Sequence, residues 1–261
     1  MREEDVREKA TEEKYAQVKT LKKSLDLLEF FTMEHPEWSI SELGRASGLY
    51  KSNVFNILYT FVQTGYIEKI NGTERYRLGK KFLDKAHIVH SNLTNFDLIH
   101  RALLELAHSV PEIIYFGILN NSDVMYIDAA VPENRYITKS VIGMTAPAYC
   151  TGIGKALLSV CKPEIVENLL KTKLEPFTPQ TITEPNALRE ELELIRQRGY
   201  SIDDREHSNA VKCVAVPVFD RNNNLYGAIS TSGPCSRFPQ ETVEKYIELL
   251  KYTAKQIQPH L

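Results

Sequence analysis

Apolar residues at helical spacing begin near residue 20 and predict a first helix, and a capping signal predicts a second. One stripe, which indicates a helix over about 20–33, contains Leu21, Leu25, Leu28 and Phe31. A capping box then starts a second helix. The Ser39 hydroxyl can accept from the amide of Glu42, the third helical residue, and the Glu42 side chain can accept from the Ser39 amide. Gly48 follows this short amphipathic run and favours the left-handed conformation that ends a helix.

A third helix is expected over about 51–64, with an apolar side and a polar leading edge. Its inward side contains Val54, Ile57, Leu58, Phe61 and Val62. Its outward side near the start contains Lys51, Ser52, Asn53, Phe55 and Asn56. Two helices joined by a tight glycine turn, the second with a polar leading edge, indicate a helix-turn-helix, whose second helix enters the major groove of DNA.

Two strand-like runs follow, over 66–70 and 73–78, and Asn71-Gly72 between them predicts a type I′ hairpin turn. This hairpin would be the wing of a winged helix-turn-helix. From Lys19 to Lys81, ten basic residues oppose seven acidic ones, although the whole chain has a net charge of -2. The candidate DNA contacts are Ser41, Lys51, Ser52, Asn53, Phe55, Asn56, Arg75 and Arg77. The alternative is a small three-helix domain with a hairpin that does not bind DNA.

The rest of the chain alternates helices with strands. The predicted helices cover 80–90, 96–108, 164–171, 188–198 and 240–257. The predicted strands cover 113–119, 124–131, 136–141, 211–219 and 225–231. Because polar turns of hairpin length join neighbouring strands, an antiparallel sheet flanked by helices, and hence an α+β fold, is expected.

Length and composition favour two domains and exclude several classes of protein. The 261 residues exceed the usual size of a single domain. The cysteines at 150, 161, 213 and 235 have no Cys-x-x-Cys spacing, and the histidines have no carboxylate partners at ligand spacing, so that neither a disulfide framework nor a metal site is expected. No run approaches the ~18 apolar residues of a membrane span. The sequence therefore predicts a cytoplasmic protein without a cofactor.

Candidate binding chemistry lies in the second domain. Alternation along the strands puts Val211, Cys213 and Ala215 on one face, and likewise Ala228, Ser230 and Ser232. If these faces meet, they form a small, mildly polar wall. Upstream, Gly152 and Gly154 begin a helix whose free amides and positive dipole end suit an anion such as a carboxylate. The alternative is that the two glycines only permit close packing of this helix on the sheet.

Both ends of the chain resemble the IclR family of transcriptional regulators. GLYKSNVFNILYTFVQTGYIEK followed by RYRLGKKF is similar to the family's recognition helix and wing. An acidic-His segment, a Cys-bearing strand and a Ser-x-Ser-Gly-Pro end follow one another within 199–238, as they do in the family. Mixed charge and the near absence of large apolar residues in 1–18 indicate a solvated arm or a frayed helix. The resemblance implies a winged helix-turn-helix (19–79), a linker helix (80–95) and a GAF/profilin-like effector-binding domain (96–261).

The resemblance also implies a function: a repressor that binds a double-stranded DNA operator as a homodimer or homotetramer and responds to a small-molecule effector, here a carboxylic acid. The implied effector contacts are Tyr149, Gly152, Ile153, Asp203, Val211, Cys213, Ser230 and Ser232. The chain departs from the family at several positions in both domains. Tyr50 stands where many relatives have Pro, and Tyr149 where His is usual. Asn53, Phe55 and Asn56 replace Thr, His and Arg at base-reading positions, so that the operator of a relative does not transfer to this chain.

Two alternatives stay open at the level of sequence. A cysteine-dependent hydrolase could use Cys213 as a nucleophile with Asp203, Asp204 and His207 as base and orienting groups. Against it, Cys213 lies inside an apolar strand, where thiols are usually inert. The second alternative is a ligand-sensing module that acts only through protein partners, and direct DNA binding would distinguish it from a regulator.

Overall fold

The computed structural model describes residues 18–91, 95–132 and 141–261. The chain divides into two compact units, Met1–Leu93 and Thr94–Leu261. The expected arm (1–18), except for Val18, lies outside the described residues. So does the expected strand over 136–141, except for Val141, which is not in a strand. No helix of the described residues is long and apolar enough to cross a membrane.

The N-terminal unit is a winged helix-turn-helix. Its helices are α1 (Lys19–Leu28), α2 (Ile40–Ser47), α3 (Lys51–Gln63) and α4 (Lys81–Ser91). Its strands are β1 (Glu37–Ser39), β2 (Ile67–Lys69) and β3 (Arg75–Leu78), in the antiparallel order β1-β3-β2. The core of this unit contains Leu27, Phe31, Leu43, Val54, Leu58, Ile67 and Tyr76. Thus α2 and α3 form the predicted helix-turn-helix, and β2 and β3 form the wing.

The local signals that set α2 are confirmed. The Ser39 hydroxyl accepts from the Glu42 amide at 3.3 Å, and the Glu42 carboxylate accepts from the Ser39 amide at 2.8 Å. Gly48 then ends the helix with a φ of 69°. Since both ends of this short helix are defined by its own side chains and glycine, the turn into α3 is fixed locally.

The end of α1 and the presence of β1 differ from what the sequence indicates. The first helix ends at Leu28 rather than near residue 33, because the Trp38 indole donates to the Phe30 carbonyl at 2.7 Å and to the His35 carbonyl at 3.0 Å, which holds the segment as a turn. Phe31 is buried, but Leu21 and Leu25 of the predicted stripe are exposed, and Leu27 is the residue of this helix that enters the core. Strand β1 was not predicted, because its three residues are too few to show an alternation of apolar and polar side chains.

The wing turn is not type I′. Gly72 has a φ of 75°, but Asn71 is not among the residues with positive φ, and a type I′ turn needs positive φ at both positions. Instead, Ile70 pairs with Arg75 through the Ile70 amide, and the Thr73 amide donates back to the Ile70 carbonyl at 3.1 Å. The loop is therefore four residues long and requires glycine at only one position.

The C-terminal unit is built on a six-stranded sheet in the order β6-β5-β4-β9-β8-β7, with antiparallel neighbours. The strands are β4 (Ile113–Asn120), β5 (Asp123–Ala130), β6 (Thr145–Pro147), β7 (Ser201–Asp204), β8 (Val211–Phe219) and β9 (Leu225–Pro234). The helices are α5 (Phe96–Ser109), α6 (Gly152–Leu158), α7 (Pro163–Leu169), α8 (Pro185–Arg198) and α9 (Gln240–Ile257). The predicted α+β fold is confirmed, whereas the short strands β6 and β7 were not predicted.

The two faces of this sheet carry different residues. On one face, the β8 residues Val214, Val216 and Val218 pack with α5 and α9 in a core of large aliphatic and aromatic side chains. On the other face, Ala215 and Ala228 pack with α6 and α8. Because the side chains of the second face are small, a helix can approach the sheet closely there and a cavity can remain beside it.

Candidate effector cavity and DNA-binding surface

The second face of the sheet forms one wall of a cavity of about 210 Å³. Strand register puts Asp203 opposite Cys213, and Cys213 opposite Ser232, in one row across β7, β8 and β9. In the next row, Ser230 lies opposite Tyr115 of β4. The predicted small, mildly polar wall therefore exists, and it continues onto strands that the sequence did not connect with it.

The beginning of α6 forms the facing wall, with Thr151, Gly152 and Ile153 at the cavity. A Cβ at Gly152 would lie 3.0 Å from the Cβ of Cys213, so that only glycine lets the helix lie this close to β8. A Cβ at Gly154 would overlap the backbone of Ala148. Both glycines are thus required for close packing, as the alternative interpretation stated, and Gly152 also borders the cavity.

One of the helix amides expected to face an anion is already satisfied. The Thr151 hydroxyl caps α6 by accepting from the Gly154 amide at 3.2 Å, and it donates to the Pro147 carbonyl at 3.1 Å. The Ser201 hydroxyl donates to the Gly152 carbonyl at 2.6 Å. The amides of Gly152 and Ile153 precede this cap, so any effector contact at the start of α6 must use these two groups.

Asp203 is the acidic group of the cavity wall and is 2% exposed. Burial raises the pKa of its carboxyl to about 6, even though the Glu206 amide, which donates to Oδ1 at 2.7 Å, and the Lys155 ammonium favour the ionised form. Both protonation states are therefore accessible near neutral pH. When ionised, this carboxyl can only accept hydrogen bonds; when protonated, it can donate one to a carboxylate.

Cys213 is a neutral thiol in this environment. Burial, together with the nearby Asp203 charge, raises the pKa of the thiol, and the Ser232 hydroxyl donates to its sulfur with an Oγ–Sγ distance of 2.9 Å. Burial also lowers the pKa of His207, which lines the same cavity. A thiolate is the nucleophilic form of cysteine, so the geometry does not favour the cysteine-dependent hydrolase. The described residues also contain no group of three or more side chains that could hold a metal ion.

A buried ion pair lies next to Asp203. Lys155 of α6, which is 1% exposed, forms an ion pair with Glu206, and its Nζ lies 3.7 Å from Glu191. The hydroxyl of Thr181 donates to the Glu206 carbonyl at 2.6 Å and so fixes the segment that leads to His207. Sequence reasoning considered only Gly152 and Gly154 of this segment and missed this pair.

Tyr149 is the one predicted effector contact that does not line the cavity. Its hydroxyl donates to the Glu175 carbonyl at 2.7 Å, and its ring packs at 6.4 Å from that of Phe177. The expectation that Tyr149 contacts an effector is therefore not supported by its position. The seven that do line the cavity are Gly152, Ile153, Asp203, Val211, Cys213, Ser230 and Ser232.

Two tyrosines of the cavity were missed by sequence reasoning. Tyr115 and Tyr126 line it, with ring centroids 5.4 Å apart, and burial raises the pKa of both hydroxyls, which stay protonated. Alternation along β4 could have placed Tyr115 on a defined face, but the pairing of β4 with β9 joins residues more than 100 positions apart and has no local signal.

The leading edge of α3 is exposed as predicted. Lys51, Ser52, Asn53, Phe55 and Asn56 are all exposed, whereas Val54 and Leu58 are buried. The polar side of a recognition helix is thus free to enter a major groove. Ser41 of α2 is only half-buried.

The two wing arginines are engaged in ion pairs within the unit. Arg75 contacts Glu42 at 3.3 Å and donates to the Glu37 carbonyl at 3.0 Å, so it ties the wing to β1 and α2. Arg77 contacts Glu68 at 3.2 Å. Their expected phosphate contacts would require these pairs to open or to be shared.

A winged helix-turn-helix followed by a sheet domain whose cavity is lined by several polar side chains defines a DNA-binding regulator of the ligand-responsive class. The chain matches the IclR helix-turn-helix domain over residues 20–70 and the bacterial transcriptional regulator IclR C-terminal domain over residues 87–259. It therefore belongs to the IclR family of transcriptional regulators, with an N-terminal DNA-binding domain and a C-terminal ligand-binding domain, and it is not an enzyme.

Similar proteins span nearly the whole chain. Transcriptional repressor IclR of Escherichia coli K12 is 29% identical over 258 residues, which cover 95% of this chain and 92% of that protein. The transcriptional regulator KdgR of the same organism is 32% identical over 228 residues, or 86% of each chain. The crystal structure of an IclR-type regulator from Silicibacter sp. TM1040 has a TM-score of 0.81 and 25% identity, covering 92% of this chain and 94% of that one.

Proposed function

We propose that this regulator is a repressor that binds a double-stranded DNA operator as a homodimer or homotetramer, and that a small monocarboxylic acid in the cavity controls this binding. The cavity is the main support for the proposal, because it is lined by seven of the eight residues that match the family's effector contacts. Neither a cofactor nor a metal has a part in it. Since the protein acts on DNA, we place it in the cytoplasm.

The chemistry of the cavity favours a small monoanion that also has a hydroxyl or keto group. Ser230 and Ser232 can each donate and accept, and Tyr115 and Tyr126 add phenol hydroxyls. None of the described lining residues is Lys or Arg, so that a dianion such as a sugar phosphate would have no cation beside it. The volume of about 210 Å³ is smaller than the ~300–1,000 Å³ of pockets for drug-sized ligands, which also favours a small acid.

A thermal-shift screen of small hydroxy and keto monocarboxylic acids would identify the ligand. Each acid is paired with its primary amide, which keeps the shape but lacks the charge. A ligand present at 100 times its Kd stabilises the folded protein by about 2.7 kcal/mol, which a melting curve resolves readily. Stabilisation by an acid and not by its amide supports the proposal; equal stabilisation by both contradicts the anionic effector.

Variants then connect the cavity with control of DNA binding. Ser230→Ala and Asp203→Ala should each abolish the effect of the identified acid on operator binding and leave ligand-free binding intact. Tyr149→Phe is the matched control, because its hydroxyl bonds to Glu175 and lies away from the cavity. If both cavity variants respond to the acid as the parent does, the effector binds elsewhere.

The proposed DNA contacts are tested on a duplex that the full chain enriches from a random library. Lys51→Ala should weaken binding to all duplexes and lower the slope of log K against log salt by about 1, because one phosphate contact is lost. Asn53→Ala should instead relax the preference at one base position. Lys173→Ala, at an exposed lysine of the C-terminal unit, is the control and should leave the slope unchanged.

Oligomeric state is measured by light scattering on the full chain. A winged helix reads only a short half-site, so paired domains are needed for a selective operator, and their symmetry would appear as an inverted repeat in the enriched duplexes. A monomer that binds a single half-site tightly would contradict this part of the proposal.

A further inference from the structure

The recognition helix α3 exposes two stacked aromatic side chains. Phe55 is 50% exposed and Tyr59 is 57% exposed. Their ring centroids are 6.2 Å apart with an interplanar angle of 22°, so they stack on each other across one helical turn. Large apolar surface left in water is unfavourable, which makes a ready-made stacked pair on a binding helix a feature that needs a function.

The pair lies along the same outer side of α3 as the polar leading edge. Ser52, Asn56 and Tyr59 follow one another at the i, i+4, i+7 spacing of a helical face, and this face is opposite the buried Val54 and Leu58. Phe55 borders this face. The outer face therefore extends one helical turn beyond the predicted contacts, and Tyr59 belongs to it although sequence reasoning did not include it.

The surroundings of the pair are polar and positive rather than apolar. Lys51 is exposed one turn before Phe55, and Ser52, Asn53 and Asn56 are exposed along the same part of α3, which the exposed Tyr50 precedes. A polyanion suits such a surface better than an apolar protein face does. Within a major groove, the feature that an aromatic ring can recognise is the C5-methyl group of thymine, because the other groups at the base edges there are hydrogen-bond donors and acceptors.

We propose that the Phe55–Tyr59 stack reads the 5-methyl groups of thymines within each half-site and that Tyr59 is a specificity-determining residue. The inference rests on the proposed operator binding and adds the chemical class of base that the helix selects. In this arrangement Asn56, one turn before Tyr59, can form a bidentate pair with adenine. The half-sites are then expected to contain A·T pairs at adjacent positions.

The test removes the methyl group alone, by replacing thymine with uracil at single positions of a duplex that the full chain has enriched from a random library. In the parent, at least one uracil substitution per half-site should weaken binding by about fourfold, the equivalent of about 0.8 kcal/mol for one buried methyl group at 1.4 kcal/mol per factor of ten. In Phe55→Ala and Tyr59→Ala, the same substitution should have no effect, because the partner of the methyl group is gone. Tyr59→Phe should retain the methyl effect, since it keeps the ring.

Tyr252→Ala is the control: this tyrosine is 65% exposed on α9, outside the DNA-binding unit, and its loss should leave the methyl effect intact. If the parent binds the enriched duplex but tolerates uracil at every position, or if the methyl effect persists in Phe55→Ala and Tyr59→Ala, the inference is overturned while operator binding stands. If no duplex is enriched, the proposed function itself fails.

Discussion

Replacing Asp203 by Asn should stabilise the protein at neutral pH and have a much smaller effect at acidic pH. Burial raises the pKa of this carboxyl from 3.8 to about 6, so the folded state holds its proton more tightly than the unfolded state does. Stability is therefore lost as the pH rises from about 4 to about 6. Each pKa unit is worth about 1.4 kcal/mol, so the ionised carboxyl costs about 3 kcal/mol of folding free energy at pH 7 and above.

The quantity to measure is the difference in unfolding free energy between Asp203→Asn and the parent, from urea unfolding at a series of pH values. This free-energy difference should grow in favour of the variant by about 2 kcal/mol between pH 4.5 and 7.5. The remaining part of the total of about 3 kcal/mol develops below pH 4.5. Asn can still accept from the Glu206 amide, so the contact geometry is retained. The single tryptophan, Trp38, lies in the N-terminal unit and cannot report on this region. Far-UV circular dichroism and hydrogen exchange of peptides within 201–234 are therefore the probes.

Asp204→Asn is the matched control, and its effect should have the opposite sign. Burial opposes ionisation of Asp204, but hydrogen bonds from Lys212 at 3.0 Å and Arg205 at 2.9 Å outweigh it and lower the pKa of its carboxyl. This variant should lose stability at neutral pH, and the loss should vanish as the pH falls through the folded-state pKa. A difference for Asp203→Asn that is flat with pH would refute the reasoning, because it would mean that the carboxyl titrates as it does in water.

Three further predictions concern the walls of the cavity. Gly154→Ala should destabilise the protein by about 1–3 kcal/mol, seen as a lower Tm, because its Cβ would overlap backbone rather than a movable side chain. Lys155→Met should cost about 3–5 kcal/mol in urea unfolding, and adding Glu206→Gln should recover much of this, because the single variant leaves a buried carboxylate unpaired. In the native protein, Cys213 should resist a thiol reagent such as dithiobis-nitrobenzoate at pH 8 that labels the partly exposed Cys235, because burial keeps Cys213 protonated.

Elements with several turns or alternations could be predicted from the sequence, and very short ones could not. Helix α9 has the predicted bounds because its apolar stripe spans five turns. Strand β7 contains only four residues, and two of them are acidic, so it had no apolar pattern. It forms because β8 offers a free edge next to it, and that edge depends on tertiary structure.

Some cavity residues could be found from local sequence patterns, and others depend on the tertiary structure. Ser230, Ser232 and Cys213 could be assigned to faces by alternation, and the structure joins these faces through the register of β8 and β9. Tyr126 could not be found in this way, because it reaches the cavity only through the pairing of β5 with β4. The position of Tyr149 was expected from family resemblance, and no local pattern could show that its hydroxyl is used by a distant carbonyl.

The charges around the cavity support the proposal of a monoanionic ligand. Lys155 forms an ion pair with Glu206, and its Nζ lies 3.7 Å from Glu191. These two carboxylates balance its charge, so Lys155 does not serve as a cation for a ligand carboxylate. Burial of Asp203 outweighs the attraction of Lys155 and raises the pKa of its carboxyl to about 6. A carboxylate that enters beside it would favour the neutral form of Asp203 further, because two like charges at short range disfavour ionisation of both. The neutral carboxyl would then donate a hydrogen bond to the ligand carboxylate. One negative charge would be held there without Lys or Arg among the described lining residues, whereas a second charge would have no cation of that lining to balance it.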